Sequence, residues 1–426
     1  MSQQTHRDRL VELRRAFHRH PEPAWREFWT TCRIVDELET IGVDELYVGP
    51  EVLADGERMA VPDDDELDRW YEQAREAGAR EDILERLDGG YTGAMAVLDR
   101  GEGPTVALRV DIDGLLREES TDEDHVPAAE GFRSETDAMH ACGHDAHATV
   151  GLGVLEAVAD SDFEGTLKVL FQPGEEMIAG GKPMAKSGHL DDVDYLLALH
   201  VGLDHPTGEV VAGVDGFLAV SHFRAEFSGS PSHAGGKPNA GDNAVHAMAT
   251  AVENLYGIAR HEDGATRVNA GKVGGGTATN IIPEEAFVEG EVRGETTELK
   301  DYMKERAGEV VDGAASMHGC EVERTTEGEA PSAESDEELV AVVHDVATET
   351  RGVDEPLRRD ELGGSEDATF LMREVQRNGG LAAYVGVGTD HPGGHHTATF
   401  DVDEDTLPIA VNLLSRSIRE IAEKRP

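Results

Sequence analysis

Cysteine is scarce. The chain has 426 residues and 3 Cys, at positions 32, 142 and 320. Three scattered thiols make no disulfide framework, which excludes a small secreted scaffold stapled by bridges. Lysine is also sparse, with 8 Lys against 30 Arg. Basic residues as a whole are few: 38 face 87 Asp and Glu, a formal net charge of −49. The acid is spread along the chain rather than gathered in a tail. Such a surface repels nucleic acid and anionic membranes, so neither is expected as a partner. No run approaches about 18 apolar residues, and no apolar run follows a basic start, so neither a spanning helix nor a signal peptide is read. These absences predict a cytoplasmic protein. Hydrophobic residues still make up 38% of the chain, enough for a sizeable core and against wholesale disorder. The length suits two or three domains.

The chemistry concentrates in one stretch. Residues 139–147 hold Cys142, His140, His144, His147 and Asp145. Cys142 and His144 are two apart across Gly143, a spacing that suits an irregular or extended segment whose side chains converge on a metal. From Ala146 the sequence turns small and apolar through Gly151, Leu152, Val154, Leu155 and Val158. That pattern predicts a buried helix beginning at the site.

Taken in order, residues 5–41 read as helix, interrupted at 18–23 by His18, His20, Pro21, Glu22 and Pro23, because proline removes a donor and restricts its predecessor. Residues 44–90 form a very acidic insertion, helical over 63–87, either packed on the catalytic domain or solvated. Then come βαβ signals. Strands are expected at 105–110, 166–171, 193–199 and 381–387, with a short helix at 183–187. Each strand delivers polar residues at its C-terminal end: Asp111 and Asp113, Glu175 and Glu176, His200, and His395 and His396. Ligands of open α/β sheets bind at those ends. Four such groups, together with Cys142 and His144, point to a metal site.

Residues 217–328 differ. Strand 219–228, helix 242–260, strands 266–273 and 285–293, helix 297–317 and strand 320–326 make βαββαβ, the ferredoxin-like plan. The expected fold class is therefore α/β. A mixed, mostly parallel sheet with helices on both faces forms the catalytic domain, and an inserted ferredoxin-like α+β domain interrupts it. The expected boundaries are 1–216, 217–328 and 329–426, with helices at 336–350 and 407–424 in the last part.

Five or six N, O and S donors exceed the four of a structural zinc site. Adjacent glutamates suit two divalent metal ions per subunit plus a base. Such a pair activates water and polarises a carbonyl, and a carboxylate beside it can act as general base and then acid. Zn²⁺ suits the mixed donors, with Mn²⁺ and Co²⁺ as alternatives. His233 lies in a Gly-rich loop at 232–238 and Asn280 in another at 274–283; both side-chain types can stabilise an oxyanion. Arg293, ending a strand, can hold a substrate carboxylate with a bidentate pair.

These residues carry a likeness. His18 to Glu22, Met139 to Asp145, Phe171 to Glu176, Leu199 with His200, Ser232 to Gly235, Asn280 to Pro283, Gly364 to Asp367, and His396 four before Phe400 run in order over nearly the whole chain. In this the chain resembles the M20 metallopeptidase family, in the subfamily of amidohydrolases, aminoacylases and carboxypeptidases that uses a Cys ligand. The resemblance implies Cys142, His144, Glu176, His200 and His396 as metal ligands, with the spacing to Phe400 favouring His396 over His395. It implies Glu175 as general base and acid, and His233 and Asn280 as transition-state or carboxylate-binding groups of a lid and dimerisation domain. Arg293 is implied as a substrate-carboxylate contact. Gly174 stands where the family has Ala before the paired glutamates.

The implied activity is hydrolysis of an N-acyl-amino acid, with p-aminobenzoyl-glutamate as the named small-molecule substrate. A general aminoacylase or carboxypeptidase is the alternative within enzymes, and a non-catalytic partner subunit the alternative of another class. A homodimer, or a heterodimer with a related subunit, is the implied assembly.

The acidity itself reads as adaptation to a high-salt cytoplasm, where the Debye length is only ~3 Å at about 1 M salt and self-repulsion is screened. A melt across a salt series is expected to show the midpoint falling as salt is withdrawn. An unchanged midpoint at low salt removes this reading.

Overall fold

The segment Thr105–Asp111 reads Thr-Val-Ala-Leu-Arg-Val-Asp, apolar on both faces rather than alternating. Such a strand belongs inside a sheet covered on both sides. In the computed structural model, which describes residues 3–391 and 393–426, it lies within an eight-stranded sheet. The strand order is Glu45–Val48, Ala94–Asp99, Thr166–Gln172, Thr105–Asp111, Tyr195–Val201, Leu381–Val387, Glu209–Val211, Glu355–Leu357. From Thr166–Gln172 to Leu381–Val387 the neighbours pair in parallel. Antiparallel pairs flank them on both sides. The sheet is thus mixed and mostly parallel, in agreement with the fold class read from the sequence.

Burial in Tyr195–Val201 shows that both faces are covered. Tyr195, Leu197, Leu199 and Val201 join the core cluster that contains the helix His144–Ala159. Leu196 and Ala198 lie outside that cluster and are fully buried. The helices Gln3–Arg19, His144–Ala159 and Thr406–Lys424 pack on one another, while Gly181–Ala185 packs with Ala368–Arg377. No helix among the described residues is long and apolar enough to cross a membrane.

The expected helix at 5–41 is broken as read, into Gln3–Arg19 and Phe28–Ile41. Glu22 explains why the second helix starts late: its carboxylate accepts from the N–H groups of Trp29 and Thr30 at 2.9 and 2.8 Å, satisfying donors of the first turn. The helix expected at 63–87 is in fact two, Asp64–Glu76 and Glu81–Leu84, parted at Ala77 and Gly78 where glycine weakens the helix. Asp63 caps the first through the Glu66 N–H at 2.9 Å. The acidic insertion is packed rather than solvated. Leu67, Trp70, Leu84 and Leu87 belong to the main core cluster, and the Arg58 guanidinium lies 3.4 Å from the Tyr91 ring centroid and 5.5 Å from that of Trp25.

The chain divides into two units. One holds the residues up to Gly216, Ala333–Leu362 and Asp367–Pro426; the other holds Phe217–Ser332 and Gly363–Glu366. Within the second, four antiparallel strands stand in the order Thr266–Gly275, Glu285–Gly294, Ala219–Ser228, Glu321–Ala330. The helices Ala244–Leu255 and Thr297–Met317 pack on them, which is the ferredoxin-like arrangement. Gly363–Glu366 joins this unit through two contacts with Leu218: its N–H donates to Gly364 O at 2.7 Å, and its carbonyl accepts from Ser365 Oγ at 2.6 Å.

Truncating Trp70, 1% exposed in the core, tests whether the insertion is integral. Trp70→Ala is expected to cost about 3–5 kcal/mol, read as a lower urea midpoint at fixed salt. A midpoint equal to wild type marks the insertion as a decoration.

Candidate metal centre

Cys142 ends an irregular arm, Gly143 turns it, and the helix His144–Ala159 starts at once. Gly143 has φ +85°, and a Cβ there would meet Val201 Cγ2 at 2.6 Å. Glycine is therefore required between the two donors. Cys142, His144 and His200 bring their donor atoms within 4.8 Å of one another, as do Cys142, Glu176 and His396, and also His144, Glu175 and Glu176. All five expected ligands and the expected base thus converge. Cys142 Sγ is 3.4 Å from His200 Nε2, and His396 Nε2 is 3.4 Å from Glu176 Oε2.

Each ring is aimed by its other contacts. His200 Nδ1 lies 2.7 Å from the Val201 carbonyl, so it carries the proton and leaves the Nε2 lone pair toward Cys142. Burial, with His147 and His395 beside it, holds His200 well below the usual imidazole range and therefore neutral. His396 has φ +59°, a left-handed conformation rare outside glycine, and its N–H is held by Ala141 O at 2.8 Å. His395 is close as well: its Nδ1 is 3.4 Å from Cys142 Sγ, and its Nε2 accepts from the Leu203 N–H at 3.2 Å. Both histidines flank the sulfur.

The loop that presents Glu175 and Glu176 is clamped by other acids. Gly174 N–H donates to Glu27 Oε1 at 2.8 Å, Glu175 N–H to Asp113 Oδ1 at 3.1 Å, and Glu176 N–H to Asp113 Oδ2 at 3.0 Å. Three consecutive backbone donors therefore end on buried carboxylates. Gly174 has φ +69°, which gives its departure from the family's alanine a conformational reason.

Asp111, Asp113, His147, Arg109 and Glu27 support the site; the sequence places Asp111, Asp113 and His147 near it without a defined role and does not single out Arg109 or Glu27. It marks Asp111 and Asp113 only as polar residues at a strand end. Asp111 accepts from His147 Nδ1, whose Nε2 accepts from the Val201 N–H at 2.8 Å. Both nitrogens of His147 are thereby used, so it positions rather than ligates. Arg109 reaches Gln172, Asp111 and Asp367 from beneath, at 2.8, 2.8 and 3.3 Å. The spacing of His147, three after His144 on one helix, is the available signal.

The electrostatics fit cations. Neither ring nitrogen of His144 makes a hydrogen bond, while Asp113, Asp111, Glu175 and Glu176 stand 3.3, 3.6, 3.9 and 4.0 Å away. Burial opposes charge on His144, yet these acids outweigh it and raise its pKa. Burial, together with the charges of Glu176 and Glu175, pushes the Cys142 thiol up. A cation at the sulfur would reverse that and favour the thiolate. Cysteine, three imidazoles and a carboxylate suit Zn²⁺, Mn²⁺ or Co²⁺.

In the inserted unit, His233 and Asn280 are neighbours. His233 pairs with Ile281 in a short ladder, and the Ala234 N–H donates to Asn280 O at 2.9 Å. His233 Nδ1 accepts from the N–H groups of Gly235 and Gly236 at 3.1 and 3.0 Å, which leaves Nε2 to carry the proton. Arg293 is engaged: Glu291 fills its fork with two contacts of 2.9 Å, and Ser365 Oγ lies 3.2 Å from its Nη1.

Comparison with known proteins gives a consistent result. The model of the family described as Peptidase family M20/M25/M40 matches residues 107–420. The chain is 42% identical over 412 residues to indole-3-acetyl-aspartic acid hydrolase of Enterobacter agglomerans, covering 95% of this chain and 94% of that protein. It is 41% identical over 414 residues to one subunit of the p-aminobenzoyl-glutamate hydrolase of Escherichia coli K12, covering 96% and 95%. The crystal structure of the aminobenzoyl-glutamate utilization protein of Klebsiella pneumoniae superposes with a TM-score of 0.84 at 35% identity, covering 98% and 97%.

Asp113→Ala removes the acceptor for two loop N–H groups and the carboxylate nearest His144. Metal affinity, measured by chelator competition, is expected to fall about 10–100-fold. Affinity equal to wild type shows that the clamp does not position the donors.

Proposed function

This chain belongs to peptidase family M20/M25/M40 and is a metal-dependent hydrolase, and from that premise we propose that it cleaves the amide joining an aromatic acyl group to an acidic amino acid. The named substrate is p-aminobenzoyl-glutamate, split into p-aminobenzoate and glutamate. The observation that carries the reading is the convergence of Cys142, His144, Glu176, His200 and His396 beside Glu175. The two curated relatives above add the substrate class, since each is named for an aromatic acyl group on glutamate or aspartate.

In this reading those five residues hold two divalent cations, Zn²⁺ or Mn²⁺, with Co²⁺ as a third candidate. Bound there, the cations would polarise the scissile carbonyl and acidify water. Glu175 takes a proton from the attacking water and hands it to the leaving nitrogen. His233 offers its Nε2 proton to the developing oxyanion, and Asn280 beside it grips the substrate carboxylate. A role for Arg293 in the same grip requires Glu291 to release its fork. The inserted unit is the lid and dimerisation domain, in a homodimer or beside a related subunit. The setting is a salt-rich cytoplasm.

The test is release of free glutamate from p-aminobenzoyl-glutamate in high salt with Mn²⁺ or Zn²⁺, beside N-acetyl and N-benzoyl amino acids. Turnover well above the panel is expected. Glu175→Gln is expected to lower kcat by a factor on the order of 10²–10⁴ with metal content unchanged. Turnover of the panel alone removes the named substrate. A metal-loaded, folded wild type that hydrolyses nothing favours a binding subunit.

A further inference from the structure

A chain with 87 acidic and 38 basic residues leaves few cations without a counter-charge. Arg14, Arg26, Arg80, Arg109 and Arg416 of the catalytic unit each face a carboxylate within 3.1 Å. Arg117 does not. Among the described residues its side chain makes no salt bridge and no hydrogen bond, and it is exposed. Its neighbour Glu118 stands by Arg133 instead, at 3.8 Å.

The backbone fixes where this free guanidinium can be. Leu115 and Met139 exchange both backbone hydrogen bonds at 2.9 Å, and Met139 leads directly into Cys142. On the other side the Ser120 N–H donates to Ala398 O at 2.8 Å, just beyond His396. Between these anchors Glu119 turns inward. There it meets His18 at 2.9 Å, His125 at 2.7 Å and the Ser134 N–H at 2.6 Å. Leu116, Arg117 and Glu118 are left facing outward. The segment thus bridges the arm that carries Cys142 and the arm that carries His396, with Arg117 on the rim. Arg117 and His396 lie within electrostatic reach of each other.

We propose that Arg117 binds the side-chain carboxylate of the acidic amino acid and so selects N-acyl-glutamate and N-acyl-aspartate over neutral substrates. The inference rests on the proposed function. In high salt the repulsion from a chain of net charge −49 is screened beyond a few ångströms, so a second carboxylate is told apart from a neutral group by short-range contacts. A free planar fork at the rim offers a bidentate contact that a neutral amide cannot match. The α-carboxylate, common to all N-acyl-amino acids, is left to Asn280 and gives no such selectivity.

The experiment compares p-aminobenzoyl-glutamate with p-aminobenzoyl-glutamine, which differ only by the second carboxylate. Both kcat/KM and calorimetric binding to the Glu175→Gln background are read for wild-type Arg117, Arg117→Ala and Arg117→Lys at one salt concentration. The glutamate preference is expected to fall about tenfold or more in Arg117→Ala, mostly through KM, with Arg117→Lys in between and metal content unchanged. A preference that survives Arg117→Ala, or that is absent in the wild type, overturns the proposal. Loss of turnover alone, with the binding preference intact and sensitive to Arg117, upholds it and counts instead against the hydrolytic reading.

Discussion

Two backbone N–H groups ending on one carboxylate, Asp113, set the geometry of the centre. Glu175 and Glu176 are consecutive, so without a fixed backbone their side chains are free to exchange roles. Anchoring both amides to one buried acid, and the preceding Gly174 amide to Glu27, leaves the loop a single arrangement. Charge-assisted hydrogen bonds are the strong ones, and here they join the ends of parallel strands. Asp111 pairs with Gln172 in the sheet, which carries residue 113 to the loop that follows Gln172. The parallel sheet, the clamp and the placement of the two glutamates form one chain of causes.

The same clamp creates an electrostatic problem. Asp111, Asp113 and Glu175 are all buried, and burying a charge is costly unless it is paired; burial and the nearby Asp113 raise the pKa of Glu27 well above the usual carboxylate range. Arg109 answers part of this from below. The remaining negative charge lies where Cys142, Glu176 and the imidazoles converge. Divalent cations bound there would supply the compensating charge. Metal binding and stability of the catalytic unit are in this sense the same property.

Legibility in the sequence followed locality. The strand at 381–387 and the helix at 297–317 are found where periodicity puts them. The donors Cys142 and His144 announce themselves because two ligands sit within three residues. Glu209–Val211 and Glu355–Leu357 escape notice because strands of three residues carry no period to detect. So does Ala368–Arg377, whose strong apolar face is hidden behind the motif that precedes it. The role of Asp113 is illegible for a different reason. It acts on backbone amides sixty-two and sixty-three residues away, and no side-chain pattern in its own neighbourhood records such a bond. Arg293 shows the converse: its residue type invites a substrate role, and only the structure reveals Glu291 in its fork.

The short return of Gly363–Glu366 to the inserted unit bears on the order of events during synthesis. Leu218 lies on the first strand side of that unit, yet the partners of its N–H and carbonyl are Gly364 and Ser365. Domains generally fold as they leave the ribosome. Here the last strand, Glu321–Ala330, emerges before the segment that closes the unit. The inserted unit can assemble its sheet early but completes its hydrogen bonding only after the first part of the second catalytic portion, Ala333–Leu362, has been translated. The two units therefore mature together in time.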